Sequence, residues 1–239
     1  MGYGRLAWMW PGAALLLSLA AALRSDAQSA DVARPAPASA PISISQLLRE
    51  VEGNYNRMKT MKAQFRQIVR AGRRTVRQEE GTLYLSKPGK MRWEYATPEA
   101  KLFLTEANRM TLYLPSENRV MQTSLKESDD LRAPLRFLLG RLDFHQEFQR
   151  FETLTSLQPI EAGNIVFKTY PKRLAGQVES MVFEISGEIA GGRQIRRVII
   201  SEPGGTETEF RFADEQANVP VAAEKFRFTP PPGTELVYQ

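Results

Sequence analysis

From residue 42 onward the apolar positions repeat first at helical spacing and then in alternation. In "PISISQLLREVEGNYNRMKTM", Ile44, Leu47, Leu48, Val51, Tyr55 and Met58 fall on one stripe, with Gly53 on the opposite face. Ser43 and Gln46 stand at capping-box spacing, and Ile42 can staple onto Leu47 across the cap. The spacing predicts a helix whose stripe lies on an apolar surface. After it the period falls to 2, and strands are predicted at 62–70, 75–86, 90–96, 101–106, 109–114, 118–124, 147–157, 164–170, 177–186, 193–201 and 206–212. One interruption is helical: Pro134 opens a run in which Leu135, Leu138, Leu139 and Leu142 repeat at i, i+3, i+4 and i+7. Residues 222–226 add a further helical turn. Short strands at regular spacing point to a barrel or sandwich rather than an α/β fold. The pattern therefore describes a curved antiparallel sheet of about eleven strands with two or three small helices on one face.

Some strands are apolar on both sides. In "SKPGKMRWEY" Met91, Trp93 and Tyr95 alternate with Lys90, Arg92 and Glu94, whereas Leu102 and Leu104 oppose Phe103, and Leu112 and Leu114 oppose Tyr113. Such faces fit a core on one side and a cover on the other. Periodicity does not separate a filled core from a cavity.

The first residues belong to a different regime. Arg5 precedes an apolar run from Ala7 to Leu23, and Ser25-Asp26-Ala27 offers small residues at cleavage spacing. Residues 1–27 are read as a secretory signal cut after Ala27, with Ala22 as the second site and a retained anchor as the alternative. Residues 28–41, "QSADVARPAPASAP", form a Pro/Ala-rich extended spacer, and residues 42–239 form one domain. The chain has no cysteine. Packing and the strand ladders must then supply its stability, and no thiol is available for lipidation after the signal. A free protein in an extracytoplasmic compartment is expected.

The net charge of +5 comes from basic residues interleaved with acidic ones such as Glu79, Glu80, Glu184 and Glu188, and no nucleic-acid recognition motif accompanies it. Catalytic chemistry finds little to work with. His145 is the single histidine, no cluster has metal-ligand spacing, and Gly191-Gly192 and Gly204-Gly205 sit between strands where hairpin turns account for them. No catalytic residue, metal or cofactor is expected. Arg66, Arg70, Arg73, Arg74 and Arg77 surround a predicted hairpin, either as a solvated strand face or as a docking patch for an acidic partner or lipid headgroups.

"EEGTLYLSKPGKMRWEYATP", followed far downstream by "AAEKFRFTPPPGTELV", resembles the outer-membrane lipoprotein carrier protein family, LolA. The matching features are the Gly81–Ser86 strand, the Lys87-Pro88 turn, Trp93, Pro98, the "QF" segment with Phe65 and Gln67, the helix after Pro134 and the closing segment, over about residues 42–239. The resemblance implies an incomplete antiparallel β-barrel whose helices form a lid over an apolar cavity. It also implies a periplasmic, monomeric carrier that receives acylated lipoproteins from an inner-membrane lipoprotein-releasing ABC transporter and passes them to an outer-membrane lipoprotein receptor, without covalent chemistry. An acyl chain gains about 0.8 kcal/mol per buried CH₂, so a carrier must supply most of that burial yet let go. On this reading Leu83, Leu85, Met91, Trp93, Leu135, Phe137, Leu138 and Leu139 wall the cavity. Where the family has an arginine thought to hold the lid through backbone carbonyls, this chain has Lys87, which keeps the charge but not the planar fork. Glu106-Ala107-Asn108 and Thr111 stand where members often show an Asp-Gly turn and a Trp. A lipid-sensing regulatory module on the same fold is the alternative, and a lipid-dependent hydrolase is a third.

Overall fold

The computed structural model describes residues 42–106, 109–124, 135, 138, 140–173, 176–187 and 190–238. Helix α1 (Ile44–Arg57) opens where Ser43 caps it, the Ser43 side chain accepting from the Gln46 amide at 3.2 Å. The box is only half closed, because the Gln46 amide group donates forward to Glu50 instead of reaching back. Leu47, Leu48, Val51 and Tyr55 are buried, as the stripe predicts.

The strands are β1 (Thr60–Ala71), β2 (Arg74–Ser86), β3 (Lys90–Thr97), β4 (Lys101–Glu106), β5 (Arg109–Leu114), β6 (Arg119–Ser124), β7 (Phe148–Thr153), β8 (Ile165–Pro171), β9 (Ser180–Ile185), β10 (Ile195–Ser201), β11 (Thr206–Ala217) and β12 (Glu235–Tyr238). A one-turn helix α2 (Phe144–Glu147) leads into β7, and a 3-10 turn occupies Ala223–Phe226. All twelve strands join one sheet in the order β12-β6-β5-β4-β3-β2-β1-β11-β10-β9-β8-β7. With β12 at one edge and β7 at the other, the sheet does not close. Its ladders are antiparallel except that β12 runs parallel to β6. The expected unclosed barrel with few helices is therefore present, with twelve strands among the described residues instead of eleven. The extra strand is the chain's last segment, which follows three prolines and has no long alternation to announce it. Asn118 steers it into place, donating to the Gly233 carbonyl and accepting through its own carbonyl from the Glu235 amide.

Side-chain rings show how strongly the sheet curls. Strands β3 and β11 are separated by β2 and β1, which in a flat sheet would be three spacings, about 14 Å. Yet the rings of Trp93 and Phe210 lie 5.4 Å apart, and those of Phe65 and Trp93 4.6 Å apart. The inner face thus folds onto itself around an aromatic cluster of Phe65, Trp93, Tyr95, Phe210 and Phe212, and α1 packs over the same core.

The outer face is covered by the chain itself in two places. The segment after β7, predicted as strand to residue 157, leaves the sheet at Thr153, and its Leu154 and Leu157 pack on Val166, Val182 and Ile199. Farther along, Lys225 reaches Glu94 at 2.9 Å, its carbonyl accepts from Arg92, and Phe226 is buried beside β3 and β4.

Candidate functional site

The pairing of β2 with β3 sets Leu85 across from Met91 and Leu83 across from Trp93, so alternation delivers all four to the inner face. All four are buried, Trp93 completely, and its indole N–H finds no acceptor among the described residues. Leu135 and Leu138 are buried in the same core cluster. Phe137 and Leu139 lie outside the described residues, as does most of the helix expected after Pro134. The structure therefore brings six of the eight expected wall residues into one buried apolar cluster. A recess of about 390 Å³ elsewhere, lined by Arg66, Glu80, Gly81, Ile160, Arg196 and Arg211, includes none of them. Its guanidinium groups are already matched to carboxylates, in the pairs Arg66–Glu80, Arg196–Glu161 and Arg211–Glu209.

Lys87 sits in the turn between β2 and β3. Its ammonium donates to the Tyr55 carbonyl at 2.9 Å, in the last turn of α1, and its amide donates to the Lys59 carbonyl. A cation at a helix C-terminus meets carbonyls that have no partner within the helix, so the contact suits both charge and geometry. Partial burial pushes the ammonium pKa below its ordinary value.

Sequence reasoning missed the other ties on α1. Glu52 accepts from the Phe144 amide at 2.7 Å, Asn56 makes a reciprocal pair with the Leu142 backbone, and Asn54 donates to the Arg193 carbonyl. Arg193 in turn pairs with Glu50. Tyr55, counted only as part of the stripe, donates its hydroxyl to Glu215 at 2.6 Å and accepts from the Ile195 amide at 3.0 Å. These polar residues flank the apolar stripe and read as a solvated helix face. Only the partner backbones, more than 80 residues away in the chain, reveal their role.

Glu215 carries a pH signature. Burial pushes its carboxyl up to about 7, against the lowering effects of the Tyr55 hydroxyl and Arg196. The fold thus favours the protonated form. The associated stability is present at low pH and is lost as pH rises through about 7, amounting to about 3 kcal/mol at most. Glu215→Gln is expected to flatten the fall in melting temperature between about pH 5 and pH 8. Glu50, Glu94 and Glu209, whose pKa values are lowered by their Arg and Lys partners, titrate below that window. Equal slopes for the two proteins would show that Glu215 does not titrate there.

Among the described residues no group of His, Asp and Glu is arranged to hold a metal ion. The family model described as outer membrane lipoprotein carrier protein LolA matches residues 56–229. The chain belongs to the LolA family. An outer-membrane lipoprotein carrier protein of Pseudoalteromonas translucida is 28% identical over 181 residues, which cover 75% of this chain and 81% of that protein. One of Chromobacterium violaceum is 26% identical over 219 residues, covering 90% and 95%. Among solved structures, a LolA superfamily protein of Nitrosomonas europaea aligns with 79% of this chain and 99% of its own, at a TM-score of 0.46 and 9% identity. In this chain the turn lysine at residue 87 places an ammonium, not a planar guanidinium, on the Tyr55 carbonyl.

Proposed function

We propose that this LolA-family member is a non-enzymatic periplasmic carrier that takes lipoproteins by their acyl chains at the inner membrane and delivers them to the outer membrane. The supporting observation is an apolar inner face closed by a helix that is tied down at its C-terminal turn by Lys87. On this reading residues 1–27 are removed on export, residues 28–41 are a spacer, and residues 42–239 act as a monomeric carrier domain. An inner-membrane lipoprotein-releasing ABC transporter loads it and an outer-membrane lipoprotein receptor unloads it. Leu83, Leu85, Met91, Trp93, Leu135, Phe137, Leu138 and Leu139 line the space that cargo fills, and α1 moves aside to admit it. Leucine and methionine suit such walls because they refill the space when cargo leaves. A sensing role on the same fold is not favoured, since the relatives are carriers by name.

The test is whether the purified protein solubilises lipoproteins from inner-membrane vesicles and carries acylated cargo that organic solvent extracts. Emergence without acylated cargo, and failure to release any, would overturn the reading.

Closure and cargo compete for the same inner face, so the Lys87 bond favours the empty state. Lys87→Leu removes a half-exposed charge-assisted hydrogen bond worth about 1.5 kcal/mol, and cargo retention is expected to tighten about tenfold. Delivery to outer-membrane vesicles should therefore fall while capture persists. Equal loss of both would remove the latch role.

A further inference from the structure

We propose that the tip of the β1–β2 hairpin, displaying Arg73, Arg74 and Arg77 around Val76, is a docking surface for bilayers rich in anionic phospholipid. This goes beyond the cargo reading and does not depend on it.

Charge pairing changes along the hairpin. Nearer the body of the sheet, Arg66 pairs with Glu80 at 2.7 Å and Arg70 with the buried Glu209 at 2.6 Å. Toward the tip the acids run out. Arg73, Arg74 and Arg77 are exposed, and none has a carboxylate partner among the described residues. The nearest acid across the register, Glu207 opposite Arg70, accepts from Ser201. Val76, 55% exposed, stands among these cations with no apolar cover. A branched apolar side chain ringed by guanidinium groups suits a headgroup layer, where the charges meet phosphates and the aliphatic group enters the boundary.

The tip is also braced. Strand β1 stays paired with β11 up to Ala71 opposite Thr206, and the Gly72 amide donates to the Gly205 carbonyl at 3.1 Å, joining two turns into one platform. On the other flank, pairing of β2 with β3 stops at Glu80 opposite Thr97, so residues 74–79 extend beyond their neighbour. Register places Arg74 opposite Ala71 and Arg77 opposite Val69, on the alternation that carries Phe65 and Gln67 to the inner face. The cations therefore stand at the rim of that face. An acidic protein is the competing occupant. Exposed, spread charges around a single exposed apolar side chain give a shaped partner little to grip, whereas a fluid lipid surface needs no shaped counterpart.

The experiment is flotation of the purified exported protein with vesicles of phosphatidylcholine alone or containing phosphatidylglycerol. Binding is expected only with phosphatidylglycerol, weakening as salt rises. R73Q/R74Q/R77Q should reduce it about a hundredfold, with an unchanged melting temperature because all three side chains are solvated. Val76→Ser should weaken it further at high salt, where the charges are screened. Equal flotation with both vesicle types, or wild-type affinity in the triple variant, would overturn the proposal. So would indifference to phosphatidylglycerol alongside loss of an acidic protein partner in the variant. If the triple variant fails to fold, the salt dependence of the wild-type protein and the single R73Q variant decide the same question.

Discussion

Gly81→Ala is expected to give a protein that is severely destabilised, losing at least about 3 kcal/mol. A Cβ at this position would overlap the Glu94 carbonyl oxygen and lie 2.9 Å from Cε1 of Phe65. The first neighbour is the backbone of β3, which cannot rotate aside as a side chain does. The second belongs to a ring held edge-on against Trp93 and Tyr95. Gly81 also sits where the β2–β3 register shifts, between Glu80 and Gly81, so the bare backbone lets the two strands approach as the sheet bends. Gly72→Ala is the control. That residue has φ +59° and nothing within 4 Å, so alanine there meets only the backbone penalty of about 1 kcal/mol. Denaturant melts of the two variants check this. Similar midpoints would mean that β2 and β3 separate cheaply at this point.

Trp93→Ala is expected to destabilise the empty protein by about 3–5 kcal/mol, since a buried aromatic is removed and its neighbours relax only partly. Trp93 is fully buried and contacts the rings of Phe65 on β1 and of Phe210 and Phe212 on β11. The carrier reading adds a second expectation. If acyl chains occupy this face, cargo fills part of the void, so the variant should lose less stability loaded than empty. Melting both forms of both proteins gives the comparison. An identical loss with and without cargo would place Trp93 in permanent core and remove it from the cargo wall.

How much of this was legible in the chain varies by element. The strands Lys101–Glu106 and Arg109–Leu114 end where alternation predicts, and the α1 stripe faces the core as its spacing requires. The inward direction of Leu83, Leu85, Met91 and Trp93 follows from period 2 alone. The curl does not, because it depends on which distant rings meet, and Trp93 meets Phe210 from more than 100 residues away. Strand β11 continues past the expected residue 212 to Ala217, and that extension carries Glu215 to Tyr55. No local pattern marks it, since "ADEQA" sets three polar residues in a row between two alanines and does not alternate. A latch role for Lys87 is what the family resemblance implies. The alternating pattern showed only a turn lysine, and the contact with the Tyr55 carbonyl emerges when α1 crosses the sheet.

The two self-made covers on the outer face have a consequence for traffic. Leu154 and Leu157 cover one part of the outer face and Phe226 another, so on the carrier reading a fatty chain enters at the side under α1. If that side is used both for filling and for emptying, a donor and an acceptor cannot occupy it together. On that reading each visit would be exclusive, and the direction of net flow would come from the two stations and their relative hold on the cargo, not from any front or back built into the courier.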